Sequence, residues 1–282
     1  QLAAPKKELA TTTQPSTTPS QTGQVKPADF TNHSGGAYGG DTFWDIIGRT
    51  FGVTKHKHYK DSGNPNLSQK LKNTGVTATI LTKEQMDVAR TEVEKLLGKK
   101  YPDTLEGNLQ VRNYYQVANS DGVFAISKLN QNDNGVTGGT NTAVQLGIKL
   151  NKPVYVWDIT SEKWFVWNAK GQTLDGESNP TFEEYYELDA EGRVTDNTVP
   201  KLTKNFAGVG SRDIESYNTK DKTTGEWKPR KEYLGAAKEA AAKQAIRDVY
   251  ENTFKTTQSS TSVGTTQVNI TGLLQSIAAN GE

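Results

Sequence analysis

Two nearly unbroken apolar runs, 121–127 and 152–158, enclose a glycine-rich stretch and a helix-length segment. No other feature constrains the fold as strongly. A strand whose successive residues are all apolar reads as buried on both faces, as strands of a parallel sheet are. Strand, glycine-rich turn at Gly135–Thr142, helix over Ala143–Leu150 and second strand form a βαβ unit. Lys163–Trp167 pairs with that second strand or extends the sheet. The expected fold class is α/β, a three-layer Rossmann-like sandwich with a mostly parallel sheet.

A second glycine-rich turn lies near the start. Ala28–Thr31 reads as a strand, Ser34–Gly40 as a tight turn, and Asp41–Phe51 as an amphipathic helix with Asp41 as N-cap. Glycines between strand and helix let backbone amides approach a phosphate at the positive end of the helix dipole. The spacing matches neither the dinucleotide fingerprint nor the P-loop. A third strand, within Asn205–Asp213, ends in Gly210-Ser211-Arg212. In open α/β sheets such turns gather at the carboxyl ends of strands, where ligands bind. The turns at 34–40, 137–142 and 208–212 should therefore share one edge of the sheet.

Between these turns, His56 and His58 sit at i, i+2 and could face one way from a strand to hold a metal. With no ligand of another type nearby, a solvated basic strand end is the preferred reading, and no metal is expected. Asp61–Thr74 reads as loop. Leu81–Leu97 carries apolar residues at Val88, Ala89, Val93, Leu96 and Leu97, a helical period closed by Gly98. Thr82 and Gln85 suit a capping box. Leu109–Val117 reads as a helix containing Arg112 and Asn113. The stretch 171–199 reads as a surface excursion and 215–233 as a polar insertion. Ala236–Phe254 is a helix with a stripe at Ile246, Val249, Tyr250 and Phe254, although Lys238–Lys243 resembles a rigid helical spacer repeat.

The ends differ in composition. Residues 1–27 are rich in Thr, Ser, Pro, Gln and Lys, and read as a disordered linker. Residues 255–282 are a polar linker with a short terminal element. Two polar tails and a start at Gln1 suggest a segment of a longer polypeptide, its globular domain spanning 28–254. The 282 residues carry a net charge of +1 and no cysteine, which excludes disulfides and thiolate metal sites. No apolar run has the roughly 18–20 residues a membrane span requires. A cytoplasmic location follows as the expectation, in a host cell or a virion if the chain is phage-encoded.

Three motifs together resemble the SLOG superfamily, the Rossmann-like group of LOG nucleotide phosphoribohydrolases and DNA-processing protein A. They are Ser34–Asp41, Val136–Gln145 and Phe206–Arg212. In most members the Gly-Ser-Arg strand comes first. Here it comes last, which resembles the circularly permuted YpsA-related branch of bacteria and phages. The resemblance implies phosphate held by Ser34, Gly35, Gly36, Gly39 and Asp41 on the first turn. It implies Gly138, Gly139, Thr140 and Thr142 on the second, and Gly210, Ser211 and Arg212 on the third. Arg112 and Asn113 would fix polar edges, since a guanidinium pairs with phosphate in bidentate fashion.

Where LOG enzymes carry Pro-Gly-Gly-x-Gly-Thr-x-x-Glu, this chain has Thr137 for the Pro, Asn141 for a Gly and Gln145 for the Glu. An amide cannot take up a proton as a carboxylate does, though it can still hydrogen-bond a ribose or base. Binding of a nucleotide or nucleotide-derived molecule, such as an ADP-ribose-like or cyclic nucleotide signal, is the favoured reading. Neither a resident cofactor nor a catalytic residue is assigned. Hydrolysis of a nucleotide N-glycosidic bond is the alternative, with Asp45 or Asp213 as substitutes for the missing carboxylate. The chain could also be a structural module that has lost its ligand. Near-zero net charge argues against a nucleic-acid partner, and SLOG relatives often pair through helices, which leaves a homo-oligomer open.

Overall fold

Successive buried residues of the central strands divide between two separate cores, and this division builds the layers. The computed structural model describes residues 25–170, 179–221 and 223–255. The expectations for residues 1–24, 171–178 and the terminal segment from 256 lie outside them. In β4 (Gly122–Ser127) Val123 and Ala125 enter one core, whereas Phe124 and Ile126 enter the other. The same alternation places Val154 and Val156 of β5 (Val154–Asp158) opposite Trp157, and Ala207 and Val209 of β8 (Asn205–Gly210) opposite Phe206. A period of two on a doubly covered sheet has this consequence.

The remaining strands of the sheet are β1 (Thr31–Ser34), β2 (Lys55–Asp61), β3 (Ala78–Leu81), β6 (Lys163–Asn168) and β7 (Thr181–Glu184), and the order is β3-β2-β1-β8-β4-β5-β6-β7. The run from β3 through β5 is parallel, and β6 lies antiparallel to both β5 and β7. One face carries α1 (Gly40–Thr50) and α7 (Ala236–Phe254). The other carries α3 (Lys83–Leu97), α4 (Leu105–Val111), α5 (Asn113–Ala118) and α6 (Thr140–Lys149). A short α2 (Gln69–Lys72) and a hairpin of β9 (Asn218–Lys220) and β10 (Trp227–Pro229) complete the described residues. This is the expected three-layer sandwich. No helix among the described residues is long and apolar enough to cross a membrane.

Trp44 of α1 centres the first core. It is fully buried against Phe124, Phe206 and Tyr250, and the Tyr250 hydroxyl donates to its carbonyl at 2.7 Å. Truncating such an aromatic to Ala costs about 3–5 kcal/mol, against about 1 kcal/mol for a side-chain cap. The helix has no such cap at its N-terminus, so packing holds it.

Several local expectations are corrected. Residues 27–29 form a 3-10 turn with Pro27 in its first positions, and the first strand begins only at Thr31. Gly39, not Asp41, is the N-cap of α1; its φ of +85° suits glycine. The helix expected over 109–117 breaks at Arg112 into α4 and α5, and Thr82–Gln85 forms the capping box, but Val88 is exposed while Met86 takes the buried position. Within 171–199, β7 joins the sheet edge and buries Phe182. The spacer-like stretch packs through Ala242, and Lys243 lies 4.7 Å above the Phe43 ring.

His56 and His58 do face one way, but into the protein rather than into solvent. The His58 Nε2–H donates to Asp45 Oδ2 at 2.7 Å, and Arg49 binds the other carboxylate oxygen. His56 donates from Nε2 to the Val53 carbonyl at 2.9 Å, which leaves Nδ1 to accept from Asn32 at 3.3 Å. Burial works against the Asp45 charge, yet the His58 and Arg49 hydrogen bonds hold its carboxyl down to about 2. Burial also holds His56 down to about 4 against the pull of Asp45, and holds His33 down to about 4. In the unfolded chain both imidazoles titrate near 6.5. Between pH 6.5 and 4 the unfolded state therefore binds protons that the folded state refuses, so stability falls as pH falls. Melting temperature is expected to drop steadily from pH 6.5 to 4.5, before exposed carboxylates protonate. The replacement His33→Gln should flatten that slope; a flat wild-type profile would contradict the burial of both rings.

Candidate functional site

β1 leads outward to β2 and β3, β4 leads outward to β5, and β8 is inserted between them. The crevice at such a reversal is where open α/β sheets bind ligands. At the carboxyl ends of these three strands lies a cavity of about 310 Å³. All three expected turns reach it: Ala37 and Asp41 from the first, Thr137–Thr140 from the second, Gly210–Arg212 from the third. Arg112 and Asn113 close it from the α4–α5 junction. Ser34, Gly35, Gly36 and Gly39 do not line it, and Thr142 and Gln145 face an adjoining groove.

The first turn serves packing. A Cβ on Gly36 would strike the Leu67 side chain, and one on Gly40 would lie 2.5 Å from Gly210 Cα, so α1 rests directly on the end of β8. Its amides are also engaged. Gly39 N–H donates to Glu215 Oε2 at 2.6 Å, Gly40 N–H to the Ser211 carbonyl at 3.2 Å, and Ala37 N–H to Asp41 Oδ2 at 3.3 Å. Glu215, expected within a polar insertion, is fully buried, and Lys70 Nζ lies 2.8 Å from its other oxygen. The positive end of the α1 dipole thus already holds two carboxylates of the chain itself.

The second turn differs. α6 begins at the N-cap Gly139 with no side-chain cap and no acidic residue in its first turn. Its backbone donors open at the cavity wall, where Gly138 has a φ of +73°. Asn141 is turned to the loop, accepting from Val136 N–H at 3.0 Å. Gln145 braces the same loop, donating to the Asn134 carbonyl at 2.8 Å.

Three guanidinium groups surround the cavity. Arg112 is only 4% exposed; its Nη1 donates to the carbonyls of Gly35 and Tyr59, and its Nε has no partner. Arg112 and Asp41 flank Gly35, since a Cβ there would lie 2.7 Å from Arg112 Nη2 and 2.8 Å from Asp41 Oδ2. Burial pushes the Asp41 carboxyl up, and Arg112 opposes that shift. Asp41 also accepts from Gly210 N–H at 3.2 Å. Arg212 is exposed and forms no side-chain hydrogen bond or ion pair among the described residues.

Arg230 was not legible as a site residue. It comes from the end of the β9–β10 hairpin and binds Asp213 Oδ1 through Nη2 at 2.7 Å and Nε at 3.2 Å. Tyr217 lies beneath it and stacks on Tyr38 with ring centroids 3.9 Å apart, which fastens the hairpin over the first turn. Gln110, also missed, accepts from the Thr142 hydroxyl at 2.5 Å. Its place two residues before Arg112 is the only sequence signal it had. Among the described residues no cluster of three His, Cys, Asp or Glu side chains could hold a metal ion.

Comparisons with family models, with curated proteins and with solved structures find no match to this chain.

The Glu215 contact has a measurable consequence. Removing its carboxylate leaves the Gly39 N–H buried without an acceptor, a loss of about 1–3 kcal/mol. At about 2–4 °C per kcal/mol for a domain of this size, Glu215→Ala should lower the melting temperature by roughly 2–12 °C. An unchanged melting temperature would mean that water or another group takes over the amide.

Proposed function

We propose that this chain binds a nucleotide or nucleotide-derived molecule, with a phosphoryl group seated between the ends of β1, β4 and β8. Arg112 carries the proposal. A guanidinium buried to this degree in a cavity wall, with Nη1 on two neutral carbonyls and Nε without a partner, is costly to hold charged, and an anion in the cavity offsets that cost. Arg212 and the uncapped start of α6 supply further donors at the same cavity. The resemblance of the three turns to the SLOG superfamily supports the same ligand class and, with the Gly-Ser-Arg strand last, the permuted branch.

Binding without hydrolysis is the better reading. Asp41 is committed to two backbone amides and Asp213 to Arg230. Asp45 is locked between His58 and Arg49. Gln145, at the position of the LOG glutamate, lies in the groove and braces a loop. Among the described residues that line the cavity, every carboxylate therefore already has partners, which speaks against a free general acid or base there.

Thermal-shift measurements with pyrophosphate, AMP and ADP-ribose, followed by mass spectrometry of each mixture, test this. A ligand at 100 times its Kd adds about 2.7 kcal/mol, which corresponds to roughly 5–10 °C here. The expected result is a shift with the ligand recovered whole. Arg212→Ala should weaken binding by about 10- to 100-fold, the worth of a charge-assisted contact, and leave the unliganded melting temperature unchanged, since the Arg212 side chain bonds to none of the described residues. Free base and ribose phosphate in the mixture would establish a hydrolase instead. No shift with any of the three would refute phosphate binding.

A further inference from the structure

The cavity does not end at α6. Gln110, Gly138 and Gly139 line both it and a wider groove of about 1080 Å³ between α4, α6 and β6. The divide between them is low: a Cβ on Gly138 would meet nothing within 4 Å. The groove's chemistry differs from the cavity's. In place of guanidinium groups it has the ammonium groups of Lys99, Lys100 and Lys149, and it adds the carboxamides of Gln110, Asn130, Asn141 and Gln145 with aromatic rings at Tyr101 and Trp167.

Asn130 spends both ends of its amide within its own loop, but the other three are half-used. Gln110 Oε1 accepts from Thr142, while its Nε2 has no partner among the described residues. Gln145 donates through Nε2 to Asn134, while its Oε1 has none; Asn141 accepts from Val136, while its Nδ2 has none. The groove thus presents unused donors and acceptors together beside the half-buried Trp167, which is held by an edge contact to Phe182 at 5.2 Å. A planar heterocycle with both donor and acceptor atoms on its edge has the complementary chemistry.

We infer that the groove is the seat of a nucleobase, so that the ligand is a nucleoside 5′-phosphate compound lying across Gly138 and Gly139. Its phosphate faces Arg112 and Arg212, and its ring lies toward Trp167. This rests on the proposed phosphate seat, and it adds a direction: the ring leaves the cavity past α6, not under the β9–β10 hairpin. Gln110, present in both walls, is the positioning residue between the two halves.

Calorimetric titration of the full chain with pyrophosphate and with AMP separates the two claims. Wild-type protein should bind AMP more tightly than ribose 5-phosphate, by about tenfold or more if stacking contributes its usual share. Trp167→Ala should erase most of that difference and leave pyrophosphate binding unchanged. Because Trp167 also packs on Phe182, Gln145→Leu, which lines the groove and not the cavity, serves as the second variant, retaining bulk while losing the amide, and it should weaken AMP but not pyrophosphate. If AMP binds no better than ribose 5-phosphate, or if both variants bind AMP as wild type does, the base seat is refuted while the phosphate seat stands. If Tyr217→Ala instead of Trp167→Ala removes the preference for AMP, the ring lies under the hairpin and the inference fails. If neither pyrophosphate nor AMP binds, both readings fall together.

Discussion

The sheet depends on one strand that hydrogen-bonds along both edges. β8 pairs with β1 on one side and β4 on the other, joining two halves that the chain builds separately from residues 31–81 and 122–184. Without it, the two strands that border the crevice would each end in a bare edge, with unpaired backbone groups facing what should be the middle of the protein. The other central features follow from its position. Trp44 donates to the Val209 carbonyl at 3.3 Å, Gly40 rests on Gly210, and Arg212 reaches the cavity because β8 ends there. The same strand that closes the hydrophobic layers delivers the third turn to the other two.

Much of this was legible from periodicity. β4, β5, α3 and α7 follow apolar patterns whose partners lie on the covering layers, so a local reading sufficed. Two of the misreadings share another cause: they concern residues whose environment is supplied by a different element of the fold. His56 and His58 look like a solvated pair until Asp45, on α1, is seen to accept from one of them. Arg112 breaks its expected helix while its guanidinium reaches carbonyls 77 and 53 residues away. β3 and β7 were missed because edge strands bury little: Thr79 and Ile80 are exposed, and β7 offers Phe182 as its one buried residue.

The candidate site was half legible. The three turns do converge, yet they are not equivalent, and composition gave no sign of that. Glycine in the first turn relieves crowding by Leu67, Gly210 and Ser211. In the second it accompanies an uncapped helix start beside open space. Identical residue types thus answer steric demand in one turn and leave access in the other. A glycine-rich turn reports a close approach, and only the structure says whether the neighbour is the protein itself.

Glu215, Asp213, Tyr217 and Arg230 all belong to the segment that follows β8, and none of them contributes a hydrogen bond to the eight-stranded ladder. Part of the charge around the cavity, Asp213 and Arg230, is therefore carried by a piece of chain outside the sheet, while Asp41 and Arg112 come from the helices that cover it. Substitutions of Asp213, Tyr217 or Arg230 can change the charge on that side of the cavity without removing a ladder hydrogen bond, whereas Glu215, buried against the start of α1, ties the same segment to the stability of the layers.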